Sequence, residues 1–405
     1  MNIIRNYAKV TITDKGKKHL DTGHPWVFEG EVLNIDGTYI NGDLVDVISL
    51  KNKYLGTGFI NDNSKIRVRI ISKNANDKFD EKFWERRLKY AWEYRKTVMG
   101  DDITNCRIIF GEADQLPGLT IDRFNDILVA QCLSLGMDKI KDIIYNTIYK
   151  IMKEDNQNIV GLYERNDVSI RKLEGLEEHK GYYKLKNINI PNYVITTIIE
   201  NGIKYKVDVE NGQKTGFFLD QKYNRLAISK IAKGKKVLDC FTHTGSFAMN
   251  AAMGGSLSVH AVDISAKAIE LAKENAELNN FSNITFEVAD VFDLLSNIQN
   301  GEYDFIILDP PAFTKSSKTV ENATRGYREI NYRAIKILSR GGYLATCSCS
   351  HFMDDERFIQ MLKEVAKDAD VSLRQIEARQ QGPDHPILWN VRETDYLKFY
   401  IFQII

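Results

Sequence analysis

The chain has 405 residues, 43% of them hydrophobic and 10% aromatic, which is a globular composition with material for two or three cores. Its 55 basic and 55 acidic residues cancel, so net charge neither demands nor excludes nucleic acid, and any attraction has to come from local patches. Five scattered cysteines exclude a disulfide framework; with a charged N-terminus and no apolar run of about 18 residues, they predict a cytosolic protein with no membrane span.

Residues 1–72 hold short β-rich runs between glycines (YAKVTIT, WVFEGEVLNI, DLVDVISL, KYLGTGFI, KIRVRII), which predict a small barrel or sandwich. Cations cluster at Lys15, Lys17 and Lys18 and again at Lys65, Arg67 and Arg69, where strand alternation puts them on one face. Residues 73–195 open with a helical stretch, FDEKFWERRLKYAWEYRKTV, whose Phe83, Trp84, Leu88, Ala91 and Trp92 fall at helical spacing. Strands at CRIIF, LTIDRF and DILVAQCL follow, then a helix over MDKIKDIIYNTIYKIMKE, giving an α+β module with no recognisable catalytic constellation. Pro191, in the polar INIPNY stretch, marks the next boundary.

From 196 to 405 strand and helix signals alternate. The strands are KKVLDC, SVHAVDI, ITFEVAD, DFIILDPP and GGYLATCSCS; helical stretches follow each, with Ser265 as N-cap of the second. This alternation predicts a doubly wound parallel sheet that binds ligands at the carboxyl ends of its strands. Two further strands, VSLRQIEARQ and DYLKFYIFQII, have no helix between them and predict an antiparallel edge.

The first βα turn, Asp239 to Gly245, lacks the G-x-G-x-x-G of a pyrophosphate cradle. Asp263 ends the second strand, where such folds bind ribose hydroxyls, and Asp290, followed by Val291, ends the third. Three carboxylates and one glycine turn fit a cofactor with ribose and adenine but no pyrophosphate. S-adenosylmethionine is such a cofactor, with Asp239 near its sulfonium and amino-acid end, Asp263 on the ribose, and Asp290 and Val291 around the adenine. Acidic residues after strands also serve as helix caps, so each alone has a structural reading.

Asp309-Pro310-Pro311-Ala312-Phe313 ends the fourth strand, and its prolines stiffen the loop that aims the carboxylate. Such loops hold a base by hydrogen bonds and stacking; in amino-methylating enzymes an aromatic directly follows the prolines, whereas here Ala312 intervenes. The fifth strand ends in LATCSCSHF, whose two thiols lack zinc-ligand spacing, so no metal site is expected. Carbon-5 of a pyrimidine becomes nucleophilic once a thiolate adds at carbon-6. Cys349 lies nearer the strand's carboxyl end than Cys347 and is the expected nucleophile, with Asp309 orienting the cytosine ring; Cys347 reads as packing, and His351 as incidental.

Together VDVENGQKTGFFLDQKYNR, LDCFTHTG, LDPPAF, RGYREIN and CSCS resemble the bacterial rRNA large subunit methyltransferase I family. HPWVFEGEV is similar to the PUA domain of these enzymes, and EADQLPGLTIDR, YERND and RKLEGL are similar to their central domain. The resemblance implies a class I S-adenosylmethionine-dependent methyltransferase, a Rossmann-like α/β doubly wound sheet with an antiparallel C-terminal strand, at 196–405. It also implies a PUA-like RNA-binding β-barrel at 1–72 and a central α+β domain at 73–195. The implied reaction makes 5-methylcytosine in large-subunit (23S) ribosomal RNA, with Cys349 as nucleophile. Implied cofactor contacts are Asp239, Phe241, Thr244 and Gly245, Asp263 with Ile264, Asp290 with Val291, Asp309, and a lid from Gln213 to Phe218 that offers Lys214, Thr215 and Phe217. Related RNA cytosine-5 enzymes often carry a second cysteine after the prolines; Ala312 stands there, which leaves the group that removes the carbon-5 proton open, with Cys347 a candidate. The family includes monomers and homodimers, so assembly is open. Two other readings are methylation of a base nitrogen in RNA, with the cysteines structural, and a non-catalytic RNA-binding assembly factor.

Overall fold

The computed structural model describes residues 6–186, 188–314 and 319–405. It divides into two compact units: one comprises Met1–Ile198, Val207–Leu219 and Pro383–Thr394, and the other Ile199–Lys206, Asp220–Gly382 and Asp395–Ile405.

The first unit begins with β1 (Ala8–Ile12), α1 (Asp14–Asp21), β2 (Trp26–Phe28), β3 (Val32–Asp36), β4 (Leu44–Ser49), β5 (Tyr54–Ile60) and β6 (Ile66–Ser72). These strands form one sheet in the order β2-β6-β5-β4-β1-β3, closed on a core that includes Val10, Ile12, Val45, Val47 and Val68. The Lys15–Lys18 cluster lies on a helix rather than extended chain, started by Thr13, whose hydroxyl accepts from Gly16 N at 3.1 Å. On β6 the cations are already partnered. Arg67 pairs with Asp62 and with Glu29 (3.3 Å), and Arg69 with Glu174 (2.9 Å) and Glu112 (3.4 Å). The predicted basic strand face is therefore largely neutralised within the unit.

Helix α2 (Glu81–Met99) buries the predicted apolar stripe and starts at Asp80, which accepts from Phe83 N at 3.0 Å. Then come β7 (Asn105–Phe110), β8 (Leu119–Phe124), β9 (Ile127–Cys132), α3 (Leu135–Glu154), β10 (Gly161–Asn166) and β11 (His179–Tyr183). These five strands form a second sheet in the order β11-β10-β9-β8-β7. A hairpin of β12 (Ile195–Glu200) and β13 (Ile203–Asp208) follows, which the sequence reading did not resolve.

The second unit is built on a seven-stranded sheet. In chain order its elements are α4 (Lys222–Ser229), β14 (Lys236–Cys240), α5 (Ser246–Met253), β15 (Ser258–Asp263), α6 (Ala266–Leu278), β16 (Ile284–Val288) and α7 (Val291–Asn297). After them come β17 (Phe305–Leu308), α8 (Val320–Ile337), β18 (Tyr343–Ser348), α9 (Asp355–Asp368), β19 (Leu373–Arg379) and β20 (Lys398–Ile404). The strand order is β16-β15-β14-β17-β18-β20-β19; the first five are parallel, and β20 runs antiparallel to both neighbours. The last strand thus inserts between β18 and β19, which leaves β19 at the edge. One face packs α8 and α9 through Tyr327, Ile330, Phe358 and Leu362, and the other packs α4 and α5 through Ala227, Ile228, Phe247 and Ala248. Strand order reverses between β14 and β17, and the carboxyl ends on either side of such a reversal form the ligand crevice. Among the described residues no helix is long and apolar enough to cross a membrane.

Candidate active site and cofactor pocket

Asp239 is the last residue but one of β14 and is wholly buried. One carboxylate oxygen accepts from Thr242 Oγ1 (2.5 Å) and Ala248 N (2.9 Å), which fixes the turn and the start of α5. Its other oxygen, Oδ1, and the hydroxyl of Thr244 are buried without a partner. Burial pushes the Asp239 carboxyl up to about 7. The turn is tight: Phe241, His243 and Gly245 have φ of 63°, 48° and 80°. A Cβ at position 245 would meet Met249 Cε at 2.9 Å and Ala272 Cβ at 3.1 Å, so glycine is required both by conformation and by space.

Beside this turn, Asp263 accepts from His243 N and Ser265 N, each at 2.9 Å. Ile264, next along, is 70% exposed although it is a large apolar residue at a strand end. Asp290 caps α7 by accepting from Phe292 N at 2.7 Å, and Val291 is buried behind it. Asp263 and Asp290 thus also do the local capping work that strand-end acids commonly do. A carboxylate has about four lone-pair sites, so those bonds leave room for ribose hydroxyls. The orphaned polar atoms of Asp239 and Thr244, the glycine turn and the bare Ile264 fit S-adenosylmethionine. The unmet acceptor suits a cationic amino-acid end, and the exposed aliphatic face suits a purine.

At the crevice's other side the chain brings Asp309 and both cysteines together. Cys347, buried on β18, donates to Asp309 Oδ1 at 3.0 Å and lies 3.2 Å from the Leu308 carbonyl. Burial, then the neighbouring Asp309, pushes its thiol well above the ordinary range. The β18 ladder ends at Ser348, so Cys349 falls just beyond it, half-buried, with Sγ 3.9 Å from the Pro310 carbonyl. Alternating serines fasten this stretch: Ser348 donates to Tyr327 Oη (3.1 Å) and Ser350 to the Thr314 carbonyl (3.2 Å). Phe313 turns inward against Tyr327, with ring centroids 4.7 Å apart.

Four side chains at this end escaped the sequence reading. Gln221 donates to Asp309 Oδ1 at 3.2 Å and to the Cys347 sulfur at 3.7 Å, while its own carbonyl accepts from Asn224 at 2.6 Å. Arg379 in turn donates to Asn224 Oδ1 at 3.2 Å, so a chain of fixed donors from β19 reaches Asp309. Lys398 is the fourth. The family motif FFLDQKYNR contained Gln221 and Asn224, but no local pattern marked them.

Lys214, Thr215 and Phe217 belong to the first unit. There Thr215 is buried and donates to Asp122 at 2.6 Å, Phe217 is buried, and Lys214 Nζ stands 4.6 Å from the Phe218 ring centroid. No cluster of three or more metal-ligating side chains occurs among the described residues.

A doubly wound sheet with its last strand inserted antiparallel, a glycine turn after β14 and acidic residues after the next strands define an S-adenosylmethionine-dependent methyltransferase. Residues 190–403 match the S-adenosylmethionine-dependent methyltransferase family, and residues 10–73 match the PUA-like domain family. A ribosomal RNA large subunit methyltransferase I from Aeromonas hydrophila is 38% identical over 397 residues, spanning 96% of this chain and 98% of that protein. Another of the same name, from Klebsiella pneumoniae, is 36% identical over 406 residues, spanning 98% and 99%. Among solved structures, a chain described as a methyltransferase complexed with SAH superposes with a TM-score of 0.81 at 22% identity, covering 98% of this chain and 99% of that one. A Streptococcus mutans protein described as a SAM-dependent methyltransferase gives 0.79 at 23%, covering 98% and 99%; these two show the fold. The chain belongs to the ribosomal RNA large subunit methyltransferase I family, and its cofactor is S-adenosylmethionine.

Proposed function

We propose that this protein methylates carbon-5 of a cytosine in large-subunit ribosomal RNA through a covalent adduct on Cys349. The observation that carries the reading is the position of Cys349: it alone of the five cysteines is not fully buried, and it sits against the Asp309-Pro-Pro loop. The names of the relatives supply the RNA class. S-adenosylmethionine supplies an electrophilic methyl group. The chain's own residues prepare its acceptor: the Cys349 thiolate adds to carbon-6, which makes carbon-5 nucleophilic, and after methylation the carbon-5 proton and the thiolate leave. Asp309, held by Gln221 and Cys347, accepts from the exocyclic amino group and orients the ring. The cofactor would be held by Asp239, Phe241, Thr244, Gly245, Asp263, Ile264, Asp290, Val291 and Asp309. We assign residues 1–72 to RNA binding, 73–195 to a central module and 196–405 to catalysis, and place the protein in the cytoplasm.

Methylation of a base nitrogen is less well supported, because the aromatic that would stack the base, Phe313, is packed on Tyr327. The deciding experiment incubates purified wild type and Cys349→Ala with labelled cofactor and unmodified ribosomal RNA, and reads nucleosides by mass spectrometry. Wild type is expected to yield 5-methylcytidine, and the variant none while it still binds cofactor. Equal product from both would make Cys349 packing and favour the nitrogen reading.

A further inference from the structure

We propose that Lys398 is the fixed cation that holds the Cys349 sulfur as a thiolate, an inference that rests on the cysteine reading above and deepens it. Strand β20 pairs antiparallel with β18 so that Lys398 stands opposite Ser348, one residue before Cys349. The side chain is buried, 4% exposed, and its Nζ donates to the Ser350 carbonyl at 2.7 Å and the Tyr396 carbonyl at 2.9 Å. The ammonium is therefore fastened to the backbone of the residue that follows Cys349 and to that of its own segment. Both of these acceptors are neutral carbonyls, and an ammonium has three donors.

The charged and titratable groups around it come from three segments. Asp395 precedes it on its own segment, Cys349 lies at the end of β18, and Asp354 and Asp355 start α9, while His351 faces Asp395. Two of the acids have other work, since Asp354 caps α9 through Arg357 N at 2.8 Å and Asp355 accepts from Tyr400 Oη at 2.6 Å, while Asp395 exerts the largest charge effect on the ammonium and Cys349 the next. Burial lowers the Lys398 ammonium to about 8, so it is charged at neutral pH but held there at a cost that a nearby anion offsets. A lysine beside a cysteine stabilises the thiolate, which is the nucleophilic form. The Sγ–H proton leaves to solvent, Nζ stays protonated, and the freed sulfur lone pair is the one that bonds to carbon-6.

The test uses the full chain and needs no RNA. Iodoacetamide alkylation of Cys349 is followed from pH 5.5 to 9.5 in wild type, Lys398→Met and Lys398→Arg, with Cys349→Ala as the blank, since Cys106, Cys132, Cys240 and Cys347 are buried. At pH 7 Lys398→Met should be alkylated about tenfold more slowly, its profile displaced about one pH unit to the alkaline side, and Lys398→Arg should stay close to wild type. Coincident profiles for wild type and Lys398→Met, with only the thermal midpoint lowered, would make Lys398 a structural strap and overturn the proposal. If Lys398→Met does not fold, Lys398→Gln is read by the same criterion. A Cys349→Ala enzyme that still makes 5-methylcytidine would sink the nucleophile reading alone, whereas the alkylation profile tests the charge pairing whatever the product.

Discussion

Asp239 is the residue whose environment makes the sharpest statement. Its carboxyl sits at about 7 in the folded chain against an ordinary 3.8, because burial disfavours the charge. A carboxyl raised on folding favours the folded state below its ordinary value, and that contribution is lost as pH rises through about 7. A cationic cofactor end reverses the preference and expels the proton. Affinity for S-adenosylhomocysteine should therefore climb by up to about tenfold per pH unit below 7 and level off above it. Calorimetric titration at pH 5.5, 6.5 and 7.5 checks this, with Asp239→Asn expected to flatten the profile; an equally steep rise in the variant would place the proton elsewhere. The acids after β14, β15 and β16 and the Asp309 loop were legible because a strand-end position is a matter of counting along the chain. Gln221 and Lys398 were not: Lys398 meets Ser350 across 48 residues of sequence, and only the register of β20 on β18 puts them together.

Among the elements, α4 shows why a helix can hide. Its sequence KYNRLAIS buries Lys222, Asn224 and Arg225, so the apolar periodicity that revealed α2 or α6 is missing. Helix α1 escaped for a related reason, since only Gly16 and Leu20 are buried in it. What holds α4 is a buried ion pair: Arg225 donates to both oxygens of Glu200 at 2.6 and 2.9 Å, and both side chains are almost wholly out of solvent. Removing one partner leaves the other charged and buried, so Arg225→Leu should cost about 3–5 kcal/mol in denaturant unfolding. The double change Arg225→Leu with Glu200→Leu should recover much of that loss; a double variant no more stable than the single one would show that the pair itself, and not the stranded charge, carries the energy. Because α4 also supplies Asn224 to the Gln221–Asp309 chain, this pair supports the site's geometry as well as the fold.

At the scale of the whole molecule, the alternating half of the chain was readable almost element by element. Buried parallel strands such as FIIL at 305–308 are continuous apolar runs and their helices are amphipathic. The insertion of β20 between β18 and β19 was not readable, since strand order is set by packing rather than by local pattern. Charge was legible only as composition: the arginines of β6 are matched by Glu29, Asp62, Glu112 and Glu174. If residues 1–72 bind RNA, the exposed Lys15 and Lys18 on α1 are the better contacts. Replacing both with glutamine should lower the slope of log affinity against log salt by about 1–2, whereas Arg69→Gln should lower thermal stability with little effect on the slope. The reverse pattern would return RNA contact to the strand face.

The most direct measurement of the central claim uses ribosomal RNA transcribed with 5-fluorocytidine, in which fluorine at carbon-5 blocks the last proton loss and leaves the protein joined to its substrate. With S-adenosylmethionine present, wild type should give a covalent protein–RNA band, and peptide mass spectrometry should find the nucleotide on Cys349. Cys349→Ala should give no band. A methylated RNA product with no trapped complex, or a crosslink at Cys347, would contradict the account.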